Sequence, residues 1–156
     1  MRKQIKYKVK LTNQEESLKV LDIKKDKDFY FVCCVENNKK IGFISFQIKD
    51  GKTWIYKIET SKNFLHQGIG TALLFAMEYI SMLNNVKVVE AKYYPENEFA
   101  KPFYEKYGYH IPNQAKDWEN YDESWTMFKL LKFDQIKQEA KTKLTKKLCD
   151  EKNFLV

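Results

Sequence analysis

Gln67-Gly68-Ile69-Gly70-Thr71-Ala72-Leu73-Leu74 follows an extended apolar run, residues 54–60, and opens a helical pattern. Two glycines let the backbone come close to a ligand and turn successive N–H groups toward it, while the helix starting here aims its positive dipole end at the same spot. The natural guest of such a cradle is an anionic diphosphate. Other glycine-loop architectures fit less well. A dinucleotide fingerprint has a strand before its glycines, a helix after them and an acidic residue about twenty positions on, as Glu90 is from Gly70. Here, however, Leu73 takes the place of the third glycine, and residues 61–67 separate strand from glycines. The full phosphate-loop pattern Gly-x-x-x-x-Gly-Lys-Ser/Thr is absent, since Phe46 stands where its first glycine would precede Gly51-Lys52-Thr53. The plainest reading leaves Gly68 and Gly70 as a turn before a core helix.

A second landmark lies further on. Asn97-Glu98-Phe99-Ala100-Lys101-Pro102-Phe103-Tyr104-Glu105-Lys106-Tyr107-Gly108-Tyr109 reads as a short amphipathic helix closed by an aromatic-Gly-aromatic cap. With the glycine stretch it resembles the GNAT family, the GCN5-related N-acetyltransferases, over roughly residues 28–131. The family's first motif, Arg/Gln-x-x-Gly-x-Gly/Ala leading into a helix, is matched by Gly68, Gly70, Thr71, Ala72, Leu73 and Leu74. Leu65 occupies its Arg/Gln place, a departure that removes one polar diphosphate contact but none of the backbone amides. Gln67-x-x-Gly70-x-Ala72 also fits two residues later, and the run into Leu73-Leu74 favours the first register. The second motif, Asn-x-x-Ala-x-x-x-Tyr-x-x-x-Gly-Phe/Tyr, is matched by Asn97, Ala100, Tyr104, Gly108 and Tyr109.

The remaining chain reads independently as a mixed α/β (α+β) layout. Residues 4–11 alternate like a strand, and the polar stretch 12–28 holds at most two helical turns, over 14–20. Three strands at 29–36, 40–49 and 52–60 are separated by Asn37-Asn38 and Asp50-Gly51, which are hairpin turn signals. Leu73, Leu74, Met77, Ile80 and Met82 give residues 71–83 the pattern of a helix covered by the sheet. A strand at 86–93, a helix at 97–106 and closing strands at 109–112 and 124–131 complete the order. This is the mainly antiparallel sheet with flanking helices that the resemblance implies.

The resemblance further implies that the fourth and fifth of these strands splay apart and that the pantetheine arm of acetyl-CoA lies between them. By position, Ile58, Glu59 and Thr60 then offer the backbone hydrogen bonds, Leu65, His66, Gln67, Gly68, Ile69, Gly70 and Thr71 hold the diphosphate, and Asn97 reaches the pantetheine. Tyr104 matches the family's general acid: a phenol with a pKa near ~10 stays protonated at neutral pH and can protonate the departing thiolate. It can equally pack the helix onto the sheet beside Phe103 and Tyr107. Glu59 is the best placed base for the amine proton, or else a solvent-facing strand residue, and His66 and His110 are weaker candidates. The implied reaction moves an acetyl group from acetyl-CoA to a primary amine by direct attack, with no metal. The non-enzymatic alternative is an acyl-CoA sensor or interaction module, which Leu65 keeps open. Because 12–28 is too short for two good helices to wall the acceptor site, the expected groove is open and suits a protein N-terminus, a lysine or another extended amine. Residues 117–123, acidic and aromatic, are a candidate cation contact.

Composition bounds the rest. A chain of 156 residues with 44% hydrophobic content fits one compact domain, residues 1–132. Residues 133–156 form an extension whose Phe133, Ile136, Ala140, Leu144 and Leu148 recur at helical spacing. That amphipathic helix is expected to pack on the same domain or to join two copies in a homodimer. The net charge of +7 is carried almost wholly by lysine, since Arg2 is the single arginine. Without arginine's planar fork, sequence-specific nucleic-acid reading is not expected. Neither a signal peptide nor a membrane span stands out, and Cys33, Cys34 and Cys149 suggest neither a disulfide framework nor zinc, so the expected location is the cytoplasm.

Overall fold

The computed structural model describes residues 2–10, 16–65, 68–94, 96–111 and 125–132. Seven strands form one sheet in chain order: β1 (Arg2–Lys10), β2 (Glu16–Asp26), β3 (Phe29–Glu36), β4 (Lys39–Lys49), β5 (Lys52–Thr60), β6 (Val88–Tyr93) and β7 (Trp125–Leu130). All neighbours are antiparallel except β5 and β6, which run parallel. The crossover between those two carries α1 (Ile69–Leu83), and α2 (Ala100–Lys106) follows β6.

The hairpins joining β3, β4 and β5 form where their turn residues allow. Asn37 and Asn38 have φ of 50° and 63°, and Asp50 and Gly51 have 54° and 73°. Positive φ at both central residues is what a two-residue turn needs to match strand twist. The turn between β2 and β3 uses Lys27 at φ 55°, a residue that gives no turn signal in the sequence.

Residues 16–26 therefore correct the expected helical turns over 14–20: they are a full strand paired with β1 and β3. The core-facing side carries Lys19, Leu21 and Ile23, all buried. A lysine at an inward position breaks the apolar alternation, and it is accommodated because its Nζ lies 2.8 Å from Glu36 of β3. Two other expected elements are shorter. The helix begins at Ala100 and not at Asn97. The strand at 109–112 reduces to one bridge between His110 and Phe128, with Pro112 outside the described residues. The extension 133–156 and its expected helix, and the acidic segment 117–123, also lie outside them.

Helix α1 lies across β3, β4 and β5, and its residues from Ala72 to Ser81 are all buried. Leu73, Leu74, Met77 and Ile80 meet Leu21, Ile23, Val32, Ile44, Phe46 and Ile55 in the core. Each such side chain contributes about 1.5–3 kcal/mol on burial, so tertiary packing and not propensity holds α1 in place. Thr53 and Ser81 share a 2.7 Å hydrogen bond within this apolar layer, which satisfies both hydroxyls.

Candidate functional site

The site grows out of β5. Its first half pairs with β4 on one side and with β6 on the other, from Lys52 opposite Val88 to Ile55 opposite Ala91. There the pairing with β6 stops, although β5 runs to Thr60 and β6 to Tyr93. The cause is local: Ser45 pairs with Lys57 and Phe46 with Ile55, so Tyr56 is an extra residue, a bulge. Bulges bend a strand and increase its twist, which turns the second half of β5 away from β6. The result is the expected splay, with one backbone edge of residues 57–60 unpaired among the described residues.

The bulge also resets the alternation of side chains. Thr53 and Ile55 face α1; beyond Tyr56 that face passes to Ile58 and Thr60. Glu59 takes the opposite face, exposed and 3.4 Å from exposed Lys57. Among the candidate residues, Thr60 is thus brought to the helix and Glu59 is directed away from it.

A single 3-10 turn (Lys62–Phe64) then leads to the glycines. Gly68 sits at φ 81°, ψ 9°, the left-handed region, as the N-cap of α1, and a side chain there would meet nothing within 4 Å. Conformation, and not crowding, selects glycine at this point. The first helical bond runs from the Ala72 N–H to the Gly68 carbonyl, so the amides of residues 69–71 precede the helical ladder. This end has no side-chain cap and no acidic residue in its first turn. Its donors and dipole are suited to an anion.

Gly70 lies at the meeting point of three elements. A Cβ on it would stand 3.5 Å from the Phe103 ring of α2 and 3.7 Å from Thr60 Oγ1 of β5. Thr71 shares a hydrogen bond with the Tyr107 hydroxyl just after α2. Leu65 is half exposed, while His66 and Gln67 lie outside the described residues. Asn97 is exposed, and its Oδ1 accepts from the Phe99 N–H at 3.2 Å, a local turn before α2.

Tyr104 is 3% exposed, with its ring against Phe103 and Tyr109. Burial pushes its phenol up to about 12, because the phenolate loses solvation there. A buried phenol of this kind keeps its proton across the physiological range.

Two supports were not singled out by the sequence reading. Gly42 of β4 lies opposite Thr60, where a Cβ would come within 3.0 Å of both the Glu59 carbonyl and Ile69. The glycine lets the start of α1 rest on the splayed strand, and a lone glycine inside a strand pattern was its signal. Lys19 also stands 6.0 Å from the ring of Phe64, so β2 helps seat the turn before the cradle. A cavity of about 570 Å³ is lined by Phe29, Tyr30, Phe31, Ser45, Phe46 and Tyr56 among others and reaches the residue at which the strands part.

Two neighbouring strands that part, followed by a glycine-led helix start, are what the resemblance implies. Residues 4–109 match the model of the acetyltransferase (GNAT) family. The chain belongs to that family. An uncharacterised N-acetyltransferase of Methanocaldococcus jannaschii is 33% identical over 104 residues, which cover 62% of this chain and 45% of that one. Among solved GNAT structures, an N-acetyltransferase of Thermoplasma acidophilum in complex with coenzyme A superposes with a TM-score of 0.59 at 22% identity. The match covers 67% of this chain and 62% of that one. A GNAT acetyltransferase of Elizabethkingia anophelis with acetyl-CoA bound gives 0.56 at 24% identity, over 67% and 77% of the two chains. The chain thus spans less than half the length of the curated relative it matches. The GNAT match begins upstream of the expected 28 and ends at Tyr109, the last residue of the second motif.

Proposed function

We propose that the protein transfers an acetyl group from acetyl-CoA to a primary amine within a ternary complex. One observation carries this reading: the edge of residues 57–60, unpaired among the described residues, ends at Thr60 beside the uncapped start of α1, with Thr60 Oγ1 3.7 Å from where a Cβ on Gly70 would stand. A ligand with an extended amide arm and a diphosphate matches that order of features. The site fits it chemically, since the first turn of α1 offers amides without an acidic competitor and Gly68 leaves open space above them.

In this reading acetyl-CoA supplies an activated thioester. Ile58 and Thr60 align its arm through their backbone, and amides of residues 68–71 hold the diphosphate. Placing the amine against the carbonyl makes the attack effectively intramolecular, which is the largest part of the rate. The C–N bond forms by addition of the amine to the thioester carbonyl, and the C–S bond then breaks as the carbonyl re-forms. Tyr104 gives its proton to the departing sulfur, and the amine proton leaves to Glu59 through water or directly to solvent. Glu59 serves this role from the face opposite α1, where the acceptor arrives.

The acceptor we favour is a peptide N-terminus, a lysine side chain or a comparable extended amine. None of the described residues between 2 and 36 is helical, so no helix among them walls the approach beside Tyr56. Selective turnover of one small enclosed amine over peptides would contradict this choice. We place the protein in the cytoplasm, a setting consistent with Cys33 and Cys34 being buried and in no disulfide among the described residues.

Thermal unfolding with and without acetyl-CoA tests the ligand. Binding to the folded state alone raises stability by about 2.7 kcal/mol at a hundredfold excess over the dissociation constant. No shift at millimolar concentration removes the reading. Tyr104→Phe tests the chemistry: loss of the general acid lowers kcat by roughly 10²–10⁴-fold while acetyl-CoA affinity holds. Undiminished kcat strikes Tyr104 from the mechanism. An unaltered ligand shift with no transfer to any amine in the wild type would instead favour the sensor reading, to which the half-exposed Leu65 lends support.

A further inference from the structure

Helix α1 carries one carboxylate along its covered length, Glu78, which is fully buried. Its Oε1 accepts a 2.8 Å hydrogen bond from the Tyr109 hydroxyl and a 2.9 Å one from Lys129 Nζ, which also reaches Oε2 at 3.2 Å. Lys129 belongs to β7, 51 residues away in sequence, and is itself 7% exposed. Three elements therefore meet on one charge: the middle of α1, the strand β7 and the segment that ends α2.

That last segment is the one carrying Tyr104. After α2 the chain reverses at Gly108, φ 90°, and the Tyr109 N–H donates to the Tyr104 carbonyl at 3.0 Å. The ring of Tyr109 then lies 5.4 Å from that of Tyr104. The Lys129 stem packs over the reversal, its Cε 3.5 Å from where a Cβ on Gly108 would stand, and its Nζ lies 5.5 Å from the centre of the Tyr109 ring. Tyr109 is thus fixed at its backbone by Tyr104, at its face by Lys129 and at its hydroxyl by Glu78.

A buried ion pair is poor evidence for stability, because well-packed apolar groups of similar volume stabilise as much or more. What this one adds is direction. Hydrogen bonding to a carboxylate held by Lys129 orients the Tyr109 hydroxyl, and the ring that carries it packs against Tyr104.

We propose that Glu78 and Tyr109 are positioning residues for Tyr104, with Lys129 holding the Glu78 carboxylate in place. The proposal rests on Tyr104 being the general acid of the acetyl transfer. Neither residue touches the reacting atoms in this scheme; each acts through the placement of the Tyr104 ring. A misplacement of the order of 1 Å at the reacting centre costs up to about a hundredfold in rate.

The experiment uses the full chain and three variants. Tyr109→Phe removes one hydroxyl and leaves the ring. Glu78→Leu with Lys129→Met replaces the charges by apolar groups of similar volume, and Glu78→Gln retains an oxygen for Tyr109. The expected result is a roughly tenfold to hundredfold lower kcat in Tyr109→Phe and in the double variant, with KM for acetyl-CoA unchanged and unfolding still cooperative. Glu78→Gln retains more of the activity than either. A merely structural role predicts lower stability with kcat intact, and that outcome overturns the proposal. NMR of ¹³Cζ-labelled tyrosine gives the readout that needs no turnover. The Tyr104 resonance, assigned through Tyr104→Phe, shifts in Tyr109→Phe if the clamp sets its ring. An unshifted resonance rejects the clamp, whereas a shifted resonance in a protein that acetylates nothing rejects the acetyltransferase reading alone. Should the double variant not fold, Tyr109→Phe decides by both measurements.

Discussion

The two halves of β5 are continuous in sequence and opposite in use. From Lys52 to Ile55 the strand is paired on both sides, and Thr53 and Ile55 are buried against α1. From residue 57 to Thr60 one edge is unpaired among the described residues, and no side chain there is fully buried. A single extra residue, Tyr56, separates the halves. Completed pairing gives a strand its stability, and withheld pairing keeps backbone groups available for a ligand; a bulge lets one strand do both.

Substitutions in the two halves should therefore fail differently. Ile55→Ala, in the paired half, opens a cavity in the core and should cost about 2–5 kcal/mol in chemical denaturation. The stability increment from saturating acetyl-CoA should persist in it; loss of that increment would show that the halves are not separable. Gly68→Ala, just past the open half, forces a side chain into the left-handed region and should cost about 1–2 kcal/mol. Here the acetyl-CoA increment should fall as well, because the helix start must shift. An intact increment would remove Gly68 from the ligand site. Glu59→Gln is the mildest: its exposed pairing with Lys57 contributes little, so stability should change by less than about 0.5 kcal/mol. Its effect belongs in the pH–rate profile for acetyl transfer, and an unaltered profile would dismiss it as the base.

The buried phenol supplies a pH test that ties these together. Burial raises the Tyr104 pKa to about 12, so the folded state prefers the protonated phenol. The stability this preference maintains is fully present below the unfolded value near ~10 and is lost as pH rises through about 12. Tyr104→Phe should remove that part of the alkaline decline in stability, measured by denaturation at stepped pH.

Legibility followed the range of the interactions. The strands β3, β4 and β5 are readable because Asn37-Asn38 and Asp50-Gly51 announce their turns locally. The strand β2 was hidden by an inward lysine, whose partner Glu36 is known only once β2 and β3 lie side by side. The same holds for Glu78 in an apolar helix: its partners Tyr109 and Lys129 are 31 and 51 residues away. The glycine start of α1 and the place of Tyr104 in α2 were readable by motif spacing, whereas the bulge at Tyr56, which directs Ile58 and Thr60 to the helix and Glu59 away, has no local signature.

By itself the sequence determined the hairpins, the covered helix and the glycine-led helix start, since each depends on backbone preference or on periodicity over a few residues. Only the tertiary structure decided where β5 and β6 part, which face Glu59 takes and what holds the carboxylate of Glu78. Those outcomes depend on pairing register and on partners brought together across the sheet, and no stretch of chain carries them alone.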